Sequence, residues 1–270
     1  MLSHEEAWRR YDAVEARLTA PLSERMLDLA GVQRGMHVID LATGRGEPAL
    51  RAAARVGAQG SVLGVDLSAE MLRMAREAAD RDGISNLDLR VGNAELLDDI
   101  PRNHFDAATI RWGLMYMGAP VAALTAIHRA LVSGGPLVAA VWAEPERAPF
   151  FTLPRCLLER HRLVPAIDPE APGMFRYADL EAVVRDFSRA GFRIDHVEDM
   201  EVSVFEAKTS GEIVAWVRAL GWGVRELLND LPDDHQQAWE RDLMAEMERT
   251  RTGGLMRLGG VTRIVRARPT

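Results

Sequence analysis

Three features of this 270-residue sequence predict an α/β fold built on a doubly wound, mostly parallel sheet. Short β-rich runs alternate with helical segments five times between residues 36 and 142, a rhythm satisfied by right-handed crossovers joining parallel strands. A glycine-containing turn follows the first run, and an aspartate stands at the end of each of the first two. The composition, 47% hydrophobic and 27% charged, supplies enough apolar sequence for a substantial core.

The first thirty residues read as two helices interrupted at Pro21, with Trp8, Tyr11, Val14 and Leu18 at helical spacing. MHVIDL (36–41) is the first strand. After the glycine turn, Pro48 suits the first turn of a helix that stops at Gly57. SVLGVDL (61–67) is the second strand, and Ser68 caps the helix that follows. LDLRVG (87–92) and FDAATIRW (105–112) are the third and fourth strands. An alanine-rich helix reaches Leu131, and PLVAAVW (136–142) is the fifth strand.

Beyond Trp142 the rhythm changes to a proline-rich, loop-rich insertion, then the helix DLEAVVRDFSRAG, strand-like alternation in FRIDHVEDMEVSVFE and two further helices. GVTRIVRAR at the end reads as an edge strand. The expected organisation is an N-terminal helical cap (1–34), a core (35–145), and cap insertions that also complete the sheet (146–270), all in one structural domain.

All but one of the 33 basic residues are arginine, Lys208 being the exception, and the formal net charge is −7. The charge is spread evenly over both halves, which disfavours nucleic acid as a partner. The N-terminus lacks a secretory h-region and no apolar run is long enough for a membrane span, so a cytoplasmic location with no membrane partner is expected. The single Cys156 cannot form an internal disulfide and reads as a small buried hydrophobe.

In VIDLATGRGEPA (38–49), Gly44 and Gly46 let the backbone turn sharply while helix N–H groups face a ligand. Asp66 ends the second strand, where a carboxylate can accept both hydroxyls of a ribose. Gly44-x-Gly46-x-x-Ala49 also satisfies the dinucleotide fingerprint, so NAD enters the comparison. Asp40 separates the two: beside a pyrophosphate it would be repelled, whereas it suits a cationic ligand such as the ammonium and sulfonium of S-adenosylmethionine.

These residues resemble the class I S-adenosylmethionine-dependent methyltransferases, near the ubiquinone/menaquinone C-methyltransferase-like (type 11) group. The matching motifs are HVIDLATGRGEP, LGVDLSAEML, VGNAELL, FDAATIRWGLMYM and HRALVSGGPLVAAVW, with a weaker echo in PGMFRYADLEAVVRDFSRAGF (172–192). The resemblance implies a Rossmann-like seven-stranded sheet, five parallel strands plus a C-terminal antiparallel pair, with helical cap insertions. It also implies S-adenosylmethionine as cofactor and S-adenosylhomocysteine as product. Carried over, Asp40, Ala42, Thr43, Gly44 and Gly46 surround the methionine end, and Asp66 holds the ribose. Leu67 and Met71 flank the adenine, Asn93 and the N–H of Ala94 read its edge, and Arg111 lies beside the amino-acid moiety. Two positions depart from the pattern: Ala42 replaces a glycine and Asn93 an acid.

Methyl transfer is an in-line displacement whose main demand is placement of the acceptor in a dry site. No general base is universal, and the candidates are His161 and Tyr116. Trp8, Tyr11, Trp112, Tyr116, Phe150 and Trp216, with Phe151 and Trp222 nearby, are the candidate pocket aromatics for a small hydrophobic acceptor. The tetrad after the fourth strand, RWGL (111–114), lacks the NPPY/DPPY pattern of base N-methylation. Two other readings remain open: an NAD(P)-dependent reductase, though no Tyr-x-x-x-Lys pair is present, and a protein that binds S-adenosylmethionine without methylating.

Overall fold

Why five apolar runs become one sheet is visible in their burial: every residue of the fifth strand, LVAAVW, is covered, as strands packed on both faces require. The computed structural model describes residues 4–97, 99–160, 173–221 and 224–270; the side chains of His4, Glu5, Ala7, Trp8 and Phe150 are outside the description. The strands are β1 (His37–Leu41), β2 (Ser61–Asp66), β3 (Leu87–Val91), β4 (Ala107–Arg111), β5 (Leu137–Trp142), β6 (Phe192–Ala207) and β7 (Met256–Pro269). They form one seven-stranded sheet in the order β3-β2-β1-β4-β5-β7-β6. The first five are parallel and β7 runs antiparallel to β5, as expected. The strand order reverses at β1, which lies between β2 and β4, so the loops after these strands meet at one edge.

The helices are α1 (His4–Leu29), α2 (Ala49–Val56), α3 (Ala69–Arg81), α4 (Pro120–Ala130), α5 (Pro149–Arg160), α6 (Leu180–Arg189), α7 (Ser210–Leu220), α8 (Arg225–Asn229) and α9 (Asp233–Arg249). Ser68 caps α3 by accepting the N–H of Met71 at 3.2 Å, and Gly57 ends α2 at φ +67°, both as the sequence predicts.

The chain divides into two compact units. One comprises Pro21–Ala143, Glu170–Met200 and Thr262–Thr270, and it contains β1–β5. The other comprises Met1–Ala20, Glu144–Pro169 and Glu201–Val261. In its interior the Phe205 ring stacks on Trp216 (5.3 Å) and meets the edge of Tyr11 (5.4 Å), and Trp239 donates its indole N–H to the Pro154 carbonyl at 2.8 Å.

Three expectations are corrected. α1 is one helix that continues through Pro21; Leu22, Met26 and Leu27 are fully buried just beyond it, and their packing offsets the hydrogen bond proline cannot make. Cys156 is exposed: in α5 the buried positions fall to its neighbours Leu157 and Leu158. The last strand, β7, lies inside the sheet and β6 takes the edge. The arginines of β7 face carboxylates of β6. Arg263 pairs with Asp199 at 3.0 Å, while Arg266 and Arg268 share Asp195 at 2.7 and 3.0 Å.

Arg263 is only 7% exposed, so removing Asp199 leaves a covered guanidinium. The Asp199→Ala variant is expected to lose roughly 2 kcal/mol in chemical denaturation, below the fully buried case because the Ala178 carbonyl keeps one N–H of Arg263 satisfied.

Candidate cofactor site

The turn between β1 and α2 is held in an unusual backbone by its neighbours. Ala42, Gly44 and Gly46 all have positive φ, +53°, +54° and +103°. Glycine adopts this region freely, but alanine pays about 1–2 kcal/mol for it. The Thr43 N–H donates to the Val65 carbonyl (3.1 Å) and the Gly46 N–H to the Thr43 carbonyl (2.9 Å). A side chain at Gly46 would strike Leu50 at 2.7 Å, whereas one at Gly44 would meet nothing within 4 Å. The turn is therefore packed beneath Gly46 and open above Gly44.

Asp40 lies beneath this turn, fully buried. It is the register partner of Thr109 on β4, whose hydroxyl donates to Oδ1 at 2.6 Å. On its other side the register partner is Gly64 of β2, where a side chain would collide with Thr43 at 3.0 Å. Asp40 Oδ2 and the buried Thr43 hydroxyl make no well-formed hydrogen bond among the described residues, although Thr43 lies close enough to favour the ionised carboxyl. Burial pushes the Asp40 carboxyl up to about 7; Thr109, Thr43 and Arg111 pull the other way, and Glu47 adds to the rise. A folded value above the ordinary 3.8 means that this group's contribution to stability is fully present below 3.8 and is lost as pH rises towards about 7.

Asp66 ties two loops together: Oδ2 accepts the Gly44 N–H and Oδ1 the Ser68 N–H, both at 2.8 Å. Each carboxylate oxygen keeps a second acceptor site. Asn93 turns its amide oxygen to the Glu95 N–H (2.9 Å), and the adjacent Ala94 is buried. Arg111 directs Nη1 to the Ser23 hydroxyl (3.1 Å), with its guanidinium carbon 5.1 Å from the Trp112 ring centroid. Trp112, at φ +57°, stacks on Trp142 at 4.6 Å and donates its indole N–H to Thr262 at 3.0 Å. Met71 is half-buried at the start of α3 and Tyr116 is exposed on the loop after β4.

The structure thus brings Asp40, Ala42, Thr43, Gly44, Gly46, Asp66 and Leu67 together at the ends of β1 and β2, with Arg111 at the end of β4 and Asn93, Ala94, Trp112 and Tyr116 on the loops after β3 and β4. Tyr11 and Trp216 lie in the interior of the other unit. His161 and Trp222 fall outside the described residues, as do the side chains of Trp8 and Phe150. His37 and His104 stack on each other where β1 and β4 begin, away from this edge.

Sequence reasoning misses Thr109, Gly64 and Glu95, whose roles exist only across strands and loops. It also misses two exposed apolar side chains, Val91 (58%) and Leu96 (72%), which join Leu67 (71%) at the ends of β2 and β3. Large aliphatic groups left this open, beside a polar turn, mark a surface suited to a flat apolar partner.

Known proteins resemble this chain in sequence and in fold. Residues 32–149 match a family described as "Methyltransferase domain". The chain is 40% identical over 124 residues to the ubiquinone/menaquinone biosynthesis C-methyltransferase UbiE of Serratia proteamaculans, covering 46% of this chain and 49% of that protein. The Edwardsiella ictaluri protein of the same name is 38% identical over 121 residues, covering 44% and 48%. The chain spans about half the length of the curated relatives it matches.

Among solved structures, a putative methyltransferase from Bacillus halodurans superposes with a TM-score of 0.60 at 19% identity, covering 92% of this chain and 99% of that one. The [4+2]-cyclase SpnF gives 0.57 at 22% identity, covering 92% and 80%. A fold shared by a methyltransferase and a cyclase does not specify the reaction. Residues 32–149 thus match a methyltransferase-domain family, and S-adenosylmethionine is the cofactor that this similarity implies. The residues present fit that cofactor: a buried carboxylate oxygen without a partner, an open turn above it and exposed aliphatic side chains beside it.

The strain at Ala42 is directly testable. Ala42→Gly is expected to raise unfolding stability by about 0.5–1 kcal/mol, the αL relief exceeding the entropy cost of glycine, measured by thermal or urea unfolding.

Proposed function

We propose that the chain is an S-adenosylmethionine-dependent methyltransferase acting on a small aromatic or hydrophobic metabolite. The observation that carries the reading is Asp40, a fully buried carboxylate with one oxygen unpartnered beneath a turn of positive-φ residues. When bound, S-adenosylmethionine supplies an electrophilic methyl that moves in line from sulfur to the acceptor atom. The chain's part is to bind and orient. Asp40 and Thr43 present acceptors towards the cationic end, and the 44–46 turn admits it closely. Asp66 keeps acceptor capacity for the ribose hydroxyls while fixing Gly44 and Ser68 around it. Leu67 and Met71 cover the adenine, with Asn93 and Ala94 at its edge.

The acceptor class is supported by the names of the relatives, which make a quinone-type ring the first acceptor to try. On this reading transfer to carbon, oxygen or nitrogen rests first on placement; Tyr116, on the loop after β4, is the described candidate for a base, and His161 lies outside the described residues.

Thermal unfolding tests the cofactor assignment. At about 100 times the dissociation constant, S-adenosylmethionine or S-adenosylhomocysteine should raise Tm by roughly 5–10 °C, and NAD(H) should do nothing. Asp66→Ala should abolish most of that shift and Asp66→Asn should retain part of it. A shift with NAD(H) alone would favour the reductase, and an unchanged shift in Asp66→Ala would remove the ribose role.

A further inference from the structure

The loop that leaves β4 is held at both ends by residues of the two loops assigned above to the cofactor. At its start, Gly113 has ordinary helical backbone (φ −99°, ψ −38°), so glycine is not needed for conformation. It is needed for space, because a Cβ there would overlap the Cβ of Ala42 in the β1 turn. At its end, Ala119 is the N-cap of α4 but has no side-chain acceptor of its own. Glu95, from the loop after β3, supplies one: Oε1 accepts the Ala119 N–H at 2.7 Å. A carboxylate at that position satisfies an orphan donor and complements the helix dipole. Glu95 is in turn oriented by Asn93, whose amide oxygen receives its N–H.

Between these clamps the chain makes a single 3₁₀ turn, Leu114–Tyr116. Leu114 and Met115 point inward, fully buried, and Tyr116 stands 40% exposed. The middle of the loop is braced by the Gly173 N–H on the Met115 carbonyl (3.1 Å) and by Arg176 Nη1 on the Met117 carbonyl (2.6 Å).

We propose that Gly113–Ala119 couples the cofactor to the acceptor: Ala42 and Glu95 are positioning residues that set this loop, and with it Tyr116, according to whether the cofactor loops are filled. This rests on the S-adenosylmethionine reading. A ligand that orders the 42–46 turn and the 93–97 loop then orders the loop fixed to both, and acceptor binding is favoured after cofactor binding.

Hydrogen exchange on the full chain, with and without S-adenosylmethionine, tests it. In the wild type the cofactor should slow amide exchange across residues 113–119 by about 5- to 150-fold, the range of ordinary coupling energies. Glu95→Ala, at saturating cofactor confirmed by its thermal shift, should lose that slowing, and Glu95→Gln, which keeps the acceptor oxygen, should retain it. Should Glu95→Ala fail to fold, Gly113→Ala decides: it should lose the slowing, and adding Ala42→Gly should restore it. The coupling is overturned if the cofactor shifts Tm yet leaves exchange at 113–119 unchanged, or if the disconnecting variant behaves as wild type. Absence of any thermal shift in the wild type overturns the cofactor reading as well, and so distinguishes the two failures.

Discussion

Asp40 is a carboxylate that solvent does not reach, held by one hydroxyl at the strand where the sheet reverses its order. The surroundings accommodate it at every contact. Thr109 occupies the register position opposite on β4, and Gly64 occupies the one opposite on β2, where it leaves room for Thr43. Leaving a buried polar atom unsatisfied costs about 1–3 kcal/mol, more for a charged group, so the open oxygen is a standing cost of the ligand-free fold. A cation brought to it removes that cost, which is why the arrangement is better suited to a positively charged ligand than to a pyrophosphate.

The parallel topology carries that local fact outward. Because β1 to β4 all point one way, the loops after them converge, and each is tied to another. Asp66 binds the Gly44 N–H of the β1 turn, Ala42 packs on Gly113, and Glu95 caps the helix after β4. None of these ties is large alone, yet together they link the loops after β1, β2, β3 and β4 in one series of contacts. Trp112 adds a second point of strain, its positive φ turning the indole onto Trp142 and Thr262.

Much of this was legible in the sequence because it depends on local rules. Strand–helix alternation, the Ser68 cap and the Gly57 stop each follow from residues near in sequence, and the adjacency of Asp40 and Asp66 follows from topology. What escaped depends on partners far away in the chain. GVTRIVRAR reads as an edge strand until Asp195 and Asp199 of β6 are placed opposite its arginines. A proline reads as a helix stop until the buried face beyond it is known to outweigh one hydrogen bond. Ala42 at the glycine position reads as a loss of freedom, whereas its backbone takes the positive φ regardless and its methyl sets the space left to Gly113. Asn93 replaces an acid, and its amide oxygen is turned to the backbone of the next loop residues.

The central claim, that the cationic end of S-adenosylmethionine lies against Asp40, is tested most directly by counting protons. Below about 7 the carboxyl is largely protonated in the free protein, and an adjacent cation should drive the proton off. Calorimetric titration with S-adenosylmethionine near pH 6, in two buffers of different ionisation enthalpy, should report release of about one proton per site in the wild type and none in Asp40→Asn. Equal heats in both buffers for the wild type, with tight binding, would contradict the placement.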